Sequence, residues 1–262
     1  MNRIAKAFEQ HKAFIPFITA GDPDLETSRK VIEAAIENGA DLIEIGIPFS
    51  DPTAEGPVIM EADNIALRSG TTTDRIFDMT KELRNRYPDI PFVYMTYANV
   101  VYSYGTERFA ERAKEAGIDG MILPDVPYEE KGDFDPVLSQ YGIDLISMIA
   151  PTSKERIAMI AKEAKGFLYV VSSLGVTGTR SSITTDIGAM TSLVRQSSNV
   201  PCAVGFGISG PGQAAAMAAV SDGAIVGSAI VRIVNEAGIE APGKVGAFVR
   251  ETADAVHSVS IV

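Results

Sequence analysis

Apolar positions along the chain recur with two periods, and the two alternate from one end to the other. Short β-rich runs predict four strands at "AFIPFIT" (13–19), "DLIEIGI" (41–47), "PFVYMTY" (91–97) and "GMILP" (120–124). Four more follow at "DLISMIA" (144–150), "FLYVVSS" (167–173), "PCAVGFG" (201–207) and "GAIVG" (223–227). Between them, apolar residues return at helical spacing. In "DLETSRKVIEAAIENG", Leu25, Ile32 and Ala35 or Ile36 share a face, with Asp24 placed to cap the start and Gly39 just past the end. "TTTDRIFDMTKELRNRY", "TERFAERAKEAG", "SKERIAMIAKEAKG", "DIGAMTSLVRQ", "GPGQAAAMAAV" and "KVGAFVRETADAVHS" read the same way. The endings "NGADLIE", "AGIDGMI" and "YGIDLIS" mark helix-to-strand turns of one kind.

Eight strand–helix units of similar size, with no Pro/Ser-rich linker between them, predict an α/β chain folded as one (β/α)8 TIM barrel over residues 1–262. A doubly wound open sheet is the alternative, and the evenness of the units favours closure. "NRIAKAFEQ" predicts an extra N-terminal helix plugging the barrel floor. "EADNIALRSG" and "SAIVRIVNEAG" predict extra short helices in units 2 and 8.

Charge narrows the partners. A net charge of −11 and a pI near 4.7 repel nucleic acid and anionic membrane surfaces. A small phosphate remains possible, because a few aimed amides bind it against the global field. The single cysteine, Cys202, forms no internal disulfide and reads as a buried small hydrophobe. The N-terminal residues lack a secretory apolar core and no apolar run reaches membrane-spanning length, so a soluble cytoplasmic protein is expected.

One strand carries an acid. In "DLIEIGI", Leu42, Glu44 and Gly46 share one face while Ile43, Ile45 and Ile47 share the other. The isoleucine face suits packing on helices, which turns Glu44 into the barrel near the strand's C-terminal end, where barrel active sites lie. A buried glutamate is commonly half of an ion pair. None of the eight predicted strands contains Lys, Arg or His, although a loop residue such as Arg180 remains a candidate cation. With only hydroxyl partners (Tyr169, Tyr97 and Ser147 are candidates), Glu44 should have a raised pKa, suited to general acid/base work. No strand offers a lysine for Schiff-base chemistry. His11 and His257, the only histidines, are expected to be surface or capping residues that form no ligand cluster, so no metal is implied.

The loop "PFSDPTAEGP" adds Asp51 and Glu55 between three prolines. Glu55 is the candidate for accepting a substrate N–H or O–H, and Asp51 for ordering the loop. Glycine-bearing turns "LGVTGTR" (174–180), "GFGISGPG" (205–212) and "VGSAIV" (226–231) follow the last three strands. Backbone amides there, at Phe206, Gly207, Gly227 and Ser228 with Gly178 beside them, fit a phosphate site. The polar stretch around Thr177 reads as a lid.

Together "PFITAGDP", "EIGIPFSDPTAEGP", "MTYANVVYSYG", "PDVP", "GVTGTR", "GFGIS" and "DGAIVGSAIV" resemble, in order and spacing across the chain, the tryptophan synthase α subunit family. The resemblance implies a (β/α)8 barrel that cleaves indole-3-glycerol phosphate to indole and glyceraldehyde 3-phosphate without a cofactor. It also implies a pyridoxal-phosphate-dependent β subunit as partner in an α2β2 complex. By motif, Glu44 matches the catalytic acid/base, Thr177 the lid threonine and Tyr169 a tyrosine near the glutamate. Gly178, Phe206, Gly207, Gly227 and Ser228 match phosphate contacts, and Phe17 and Tyr97 line the pocket. Asp22, Asn99, Asp125 and Pro127 match positions facing the β subunit or linking to the lid. The chain departs from the family's "SDPxADGP" at Glu55, where the pattern has a catalytic Asp. That departure keeps open a second reading, a weakly active subunit that mainly regulates its β partner. Another phosphosugar barrel, such as an epimerase or isomerase, is disfavoured by the "EIGIPFSDP" loop.

Overall fold

Parallel strands appear at all eight predicted places. They are β1 (Ala13–Thr19), β2 (Ile43–Gly46), β3 (Phe92–Met95), β4 (Gly120–Ile122), β5 (Asp144–Leu145), β6 (Ser147–Ile149), β7 (Leu168–Val171), β8 (Cys202–Gly205) and β9 (Gly223–Val226). The computed structural model describes residues 2–171, 186–205 and 207–261. The sheet order is β5-β4-β3-β2-β1-β9-β8-β7-β6, so the first strand lies beside the last, with Ala13 paired to Gly223. The two ends of the sheet are the halves of one predicted strand. Leu145 pairs with Met121 of β4, Ser147 pairs with Leu168 of β7, and the chain changes neighbours at Ile146. This corrects the expectation of one unbroken fifth strand; the change of partner at Ile146 is what brings the sheet round into a nearly closed barrel. The open-sheet alternative falls with it.

The extra helices form, with adjusted limits. The N-terminal one is a single turn, Arg3–Lys6, capped by the Asn2 side chain. Its Ile4 is fully buried, and Phe8 stacks on Phe167 at 5.9 Å, so the segment plugs the floor as expected. The unit 2 helix starts earlier, at Pro57, and runs Pro57–Arg68; that of unit 8 is Ser228–Ala237. Among the described residues, four further helical pieces are not foreseen: Ala98–Tyr104, Asp135–Gln140 and the 3-10 turns Tyr128–Asp133 and Gly238–Glu240. Tyrosine and valine in "ANVVYSY" favour strand on propensity, and packing in the barrel overrides it.

The repeated helix-to-strand endings have one physical job. Gly39, Gly117 and Gly142 take positive φ (+106°, +82° and +70°), which stops each helix where a β-carbon would be strained. The aspartates that follow then cap a neighbouring strand: Asp41 accepts the Phe14 N–H at 2.7 Å and Asp119 the Phe92 N–H at 3.0 Å. Asp222 does the same for the Cys202 N–H at 2.9 Å. Asp24 caps the helix Leu25–Glu37 through the Thr27 N–H, as its position suggested. Cys202 is fully buried, and burial pushes its thiol up to about 12, which suits an inert core residue.

Alternation sorts the strand residues into two cores. Phe14, Ile43, Ile45 and Tyr94 pack outward against helices, while Ile15, Phe17, Leu42, Val93 and Phe167 fill the barrel. Among the described residues, no helix is long and apolar enough to cross a membrane.

Candidate active site

Glu44 lies on the inner face of β2, level with Phe17 of β1 and Val93 of β3. Its neighbours Ile43 and Ile45 face the helices, so strand register alone delivers the carboxylate to the interior. The side chain is 1% exposed, and neither oxygen meets a hydrogen-bond partner. Burial first, and the charge of Glu55 second, raise its pKa to about 8. The raised value matches the expectation, but the hydroxyl partners do not: Tyr97, Tyr169 and Ser147 leave both Glu44 oxygens unbonded. Tyr97 is drawn off by a stronger acceptor, for its hydroxyl donates to Glu55 Oε1 at 2.9 Å.

Glu55 is itself 5% exposed, although it comes from a loop. The loop folds back because the Ala54 N–H donates to the Tyr97 hydroxyl at 3.0 Å, while Pro57 opens the next helix in its first turn, where a missing N–H costs nothing. Burial raises the Glu55 carboxyl to about 7, opposed by the Tyr97 O–H that favours its ionised form. Asp51 stays exposed and accepts from Ser50, in keeping with a loop-ordering role.

Opposite Glu44, the same cavity is walled by Gly207, Gly227 and Ser228, with Phe17, Ile59 and Tyr169 completing the apolar sides. Gly207 has φ +80°, a left-handed backbone that favours glycine, and Gly227 is the N-cap of the helix Ser228–Ala237. Backbone donors and the positive end of a ten-residue helix therefore face the carboxylate across one small chamber of about 30 Å³. That volume holds about one water. A larger ligand requires wall side chains such as Phe17 and Tyr169 to move.

One acid was missed, and another, Asp22, was placed by resemblance only at the partner face or beside the lid. Asp63, on the helix Pro57–Arg68, is 6% exposed; burial and Glu55 raise it to about 8. Its signal in the sequence was an acid on the face otherwise made by Ile59, Ala62 and Ala66. Asp22 is 2% exposed with both oxygens unpartnered, and burial, with Glu61 second, raises it to about 7. Four carboxyls with raised pKa values thus gather at the C-terminal mouth of a barrel, opposite a helix N-terminus.

A family model described as "Tryptophan synthase alpha chain" matches residues 4–257. The chain belongs to the tryptophan synthase alpha chain family. It is 44% identical to the tryptophan synthase alpha chain of Lacticaseibacillus casei over 264 aligned positions, covering 100% of this chain and 99% of that one. Its fold superposes on the crystal structure of the tryptophan synthase alpha chain from Legionella pneumophila with a TM-score of 0.88, at 35% identity and full coverage of both chains. It also matches a chain from the tryptophan synthase a2b2 complex of Pyrococcus furiosus with a TM-score of 0.85, at 33% identity, covering 94% of this chain and 99% of that one.

The structure brings most of the residues that the tryptophan synthase alpha pattern singles out to one end of the barrel. Glu44, Phe17, Tyr169, Gly207, Gly227 and Ser228 line one cavity, and Tyr97 joins through Glu55. Thr177, Gly178, Arg180 and Phe206 lie outside the described residues. Of the positions matched to the partner side, Asn99, Asp125 and Pro127 are exposed, and Asp125 caps the Ala98 N–H at 3.1 Å. Asp22 is instead buried, because its loop tucks under Ser28 and Ser69. One expectation is overturned outright. His11 and His257, remote in sequence, meet over Asp41, because the last helix packs back against the start of β1.

Proposed function

We propose that Glu44 and Glu55 carry out the retro-aldol cleavage of indole-3-glycerol phosphate to indole and glyceraldehyde 3-phosphate. The chain is a carbon–carbon lyase of tryptophan biosynthesis, and the assignment of roles to its residues rests on one observation. Glu44 is buried, unpartnered and raised to about 8, in the same cavity as the amide cluster at Gly207, Gly227 and Ser228.

The chemistry follows from that layout. The phosphate sits against the Gly207, Gly227 and Ser228 amides, which places the indole end toward Glu44. Glu44, protonated at neutral pH, gives its proton to the ring carbon bearing the glycerol chain. The positive charge that spreads to the ring nitrogen is met by ionised Glu55, accepting the N–H. Glu44, now a carboxylate, takes the proton of the adjacent side-chain hydroxyl. The carbon–carbon bond then breaks to an aldehyde and neutral indole. The proton lent in the first step returns in the second, so no cofactor is required. Two carboxyls whose pKa values are set by burial and by each other supply both roles.

We infer a pyridoxal-phosphate-dependent β subunit as partner, an assignment supported by the relative from Pyrococcus furiosus, whose structure is of an a2b2 complex. Exposed Asn99, Asp125 and Pro127 at the barrel mouth are the surface this reading assigns to it.

The deciding assay measures indole release from indole-3-glycerol phosphate with and without a β subunit. Glu44→Gln should lower kcat by about 10³-fold or more, since loss of a positioned acid/base removes roughly 10²–10⁴. Unimpaired release by that variant would remove Glu44 from the chemistry. Enhancement of β activity without any indole from the parent chain would favour the regulatory reading.

A further inference from the structure

At the opposite, N-terminal end of the strands, three metal-ligating side chains from distant parts of the chain converge. His11 precedes β1, Asp41 precedes β2, and His257 ends the helix Ala241–His257. His257 Nε2 lies 2.8 Å from Asp41 Oδ2, and His11 Nε2 lies 3.7 Å from Asp41 Oδ1. The imidazole centroids are 3.8 Å apart, and one ligand atom from each residue lies within 4.8 Å of the others. Donors bound at about 2.0–2.1 Å to one tetrahedral ion stand roughly 3.3 Å apart, so small side-chain rotations bring all three into coordination.

Hydrogen bonding orients two of the three donors, on His11 and Asp41, as a metal needs them. His11 Nδ1 sits 3.3 Å from the Lys12 carbonyl. A carbonyl only accepts, so Nδ1 carries the proton, and in the neutral ring Nε2 turns a lone pair toward Asp41. Asp41 Oδ2 accepts the Phe14 N–H at 2.7 Å and lies 2.8 Å from His257 Nε2, so Oδ1 is open, and His257 ligates only by moving its proton to Nδ1 and exchanging this contact for the ion. A lone pair aimed at a carboxylate and flanked by a second imidazole makes a place suited to a cation. A single divalent ion satisfies all three donors at once.

We propose that His11 Nε2, His257 Nε2 and Asp41 Oδ1 bind one divalent transition-metal ion of the imidazole-preferring kind, with zinc as its representative. The Lys12 carbonyl and the Phe14 N–H are the outer partners that hold two of the ligands in place. Entry is open: the three side chains are 33%, 24% and 15% exposed, and a surface cavity of about 210 Å³ borders His11 and Asp41. Of the charged residues beside that cavity, Arg3 is committed to Asp119, while Lys6 and Asp89 line it with opposite charges. The ion would clasp the end of the last helix to the barrel floor. It stabilises the fold and is independent of the cleavage chemistry at the other end.

The test uses the untagged full-length chain, stripped with chelator and titrated with Zn²⁺ by calorimetry. One equivalent per chain is expected, with a rise in Tm of about 3–8 °C when the ion is in large excess over Kd. Co²⁺ in place of zinc should give the visible absorption of a four-coordinate site. His257→Asn and His11→Asn should each weaken zinc binding by roughly 10–100-fold or more. Absence of zinc uptake by the parent chain overturns the proposal and leaves a hydrogen-bonded His–Asp–His cluster. Uptake that both variants retain unchanged also overturns it. Should one variant fail to fold, the other, from a different segment, decides.

Discussion

Glu44 keeps its proton for a reason visible at the scale of one side chain: nothing around it stabilises the charge. Its alternation with Ile43 and Ile45 was enough to foresee an inward carboxyl with a raised pKa. What sequence left open was the role of Tyr97, grouped with Glu44's hydroxyl partners and with the pocket lining, and found instead on Glu55. Glu55, one methylene longer than the family's Asp, holds its carboxylate within hydrogen-bond reach of the tyrosine. It also sets a pH profile. Cleavage needs Glu55 ionised and Glu44 protonated, so kcat/KM should be bell-shaped, with limbs near about 7 and about 8. The Tyr97 O–H lowers the Glu55 pKa. Tyr97→Phe should therefore move the acid limb upward by about half a unit to one unit, leaving the alkaline limb in place. A pH series of kcat/KM for parent and variant checks this; an unmoved acid limb would detach Glu55 from the reaction.

Among elements, the barrel strands trade small residues against large ones. A β-carbon at Gly205 of β8 would lie 2.3 Å from the Tyr169 hydroxyl, and one at Gly46 of β2 would lie 2.6 Å from the Phe17 ring. The glycines are there for clearance, so that two aromatic walls of the cavity fit inside. Gly205→Ala should force Tyr169 into the chamber and lower kcat/KM by about 10–100-fold, the scale of a 1 Å misplacement. Gly212→Ala, whose β-carbon meets nothing within 4 Å, is the control and should leave the rate unchanged. Equal effects of the two would refute the clearance argument. The sequence does not mark these strand glycines, because which aromatic each one admits depends on register between strands far apart in the chain. Asp63 escaped notice for a related reason: a lone acid on an apolar helix face carries no label until its neighbour Glu55 is known.

For the whole molecule, the mouth of the barrel is a store of destabilising charge. Burial raises Glu44, Glu55, Asp63 and Asp22 to between about 7 and about 8, far above their ordinary values. Between the ordinary carboxylate range and those values, the folded chain binds more protons than the unfolded chain. Stability contributed by these groups is thus present at low pH and lost as pH rises through 7 to 8. Glu44→Gln removes one ionisation. Its Tm relative to the parent should climb as pH is raised from about 6 to about 9, by an amount corresponding to about 1–3 kcal/mol. Thermal melts across that range test it, and a Tm difference flat with pH would show that Glu44 ionises without penalty. Activity and stability pull in opposite directions at this site, as they do where function needs a buried charge.

The places of the eight strands and of the longer helices, the inward aim of Glu44 and the membership of the chain in its family were all settled by the sequence. Each depends on local periodicity or on short motifs, which neighbouring residues carry among themselves. The tertiary structure alone decided the break at Ile146, the hold of Tyr97 on Glu55, the burial of Asp63 and Asp22, and the meeting of His11 with His257. Those depend on which distant segments the closing barrel brings within a few ångströms, and closure is a property of all the strands together.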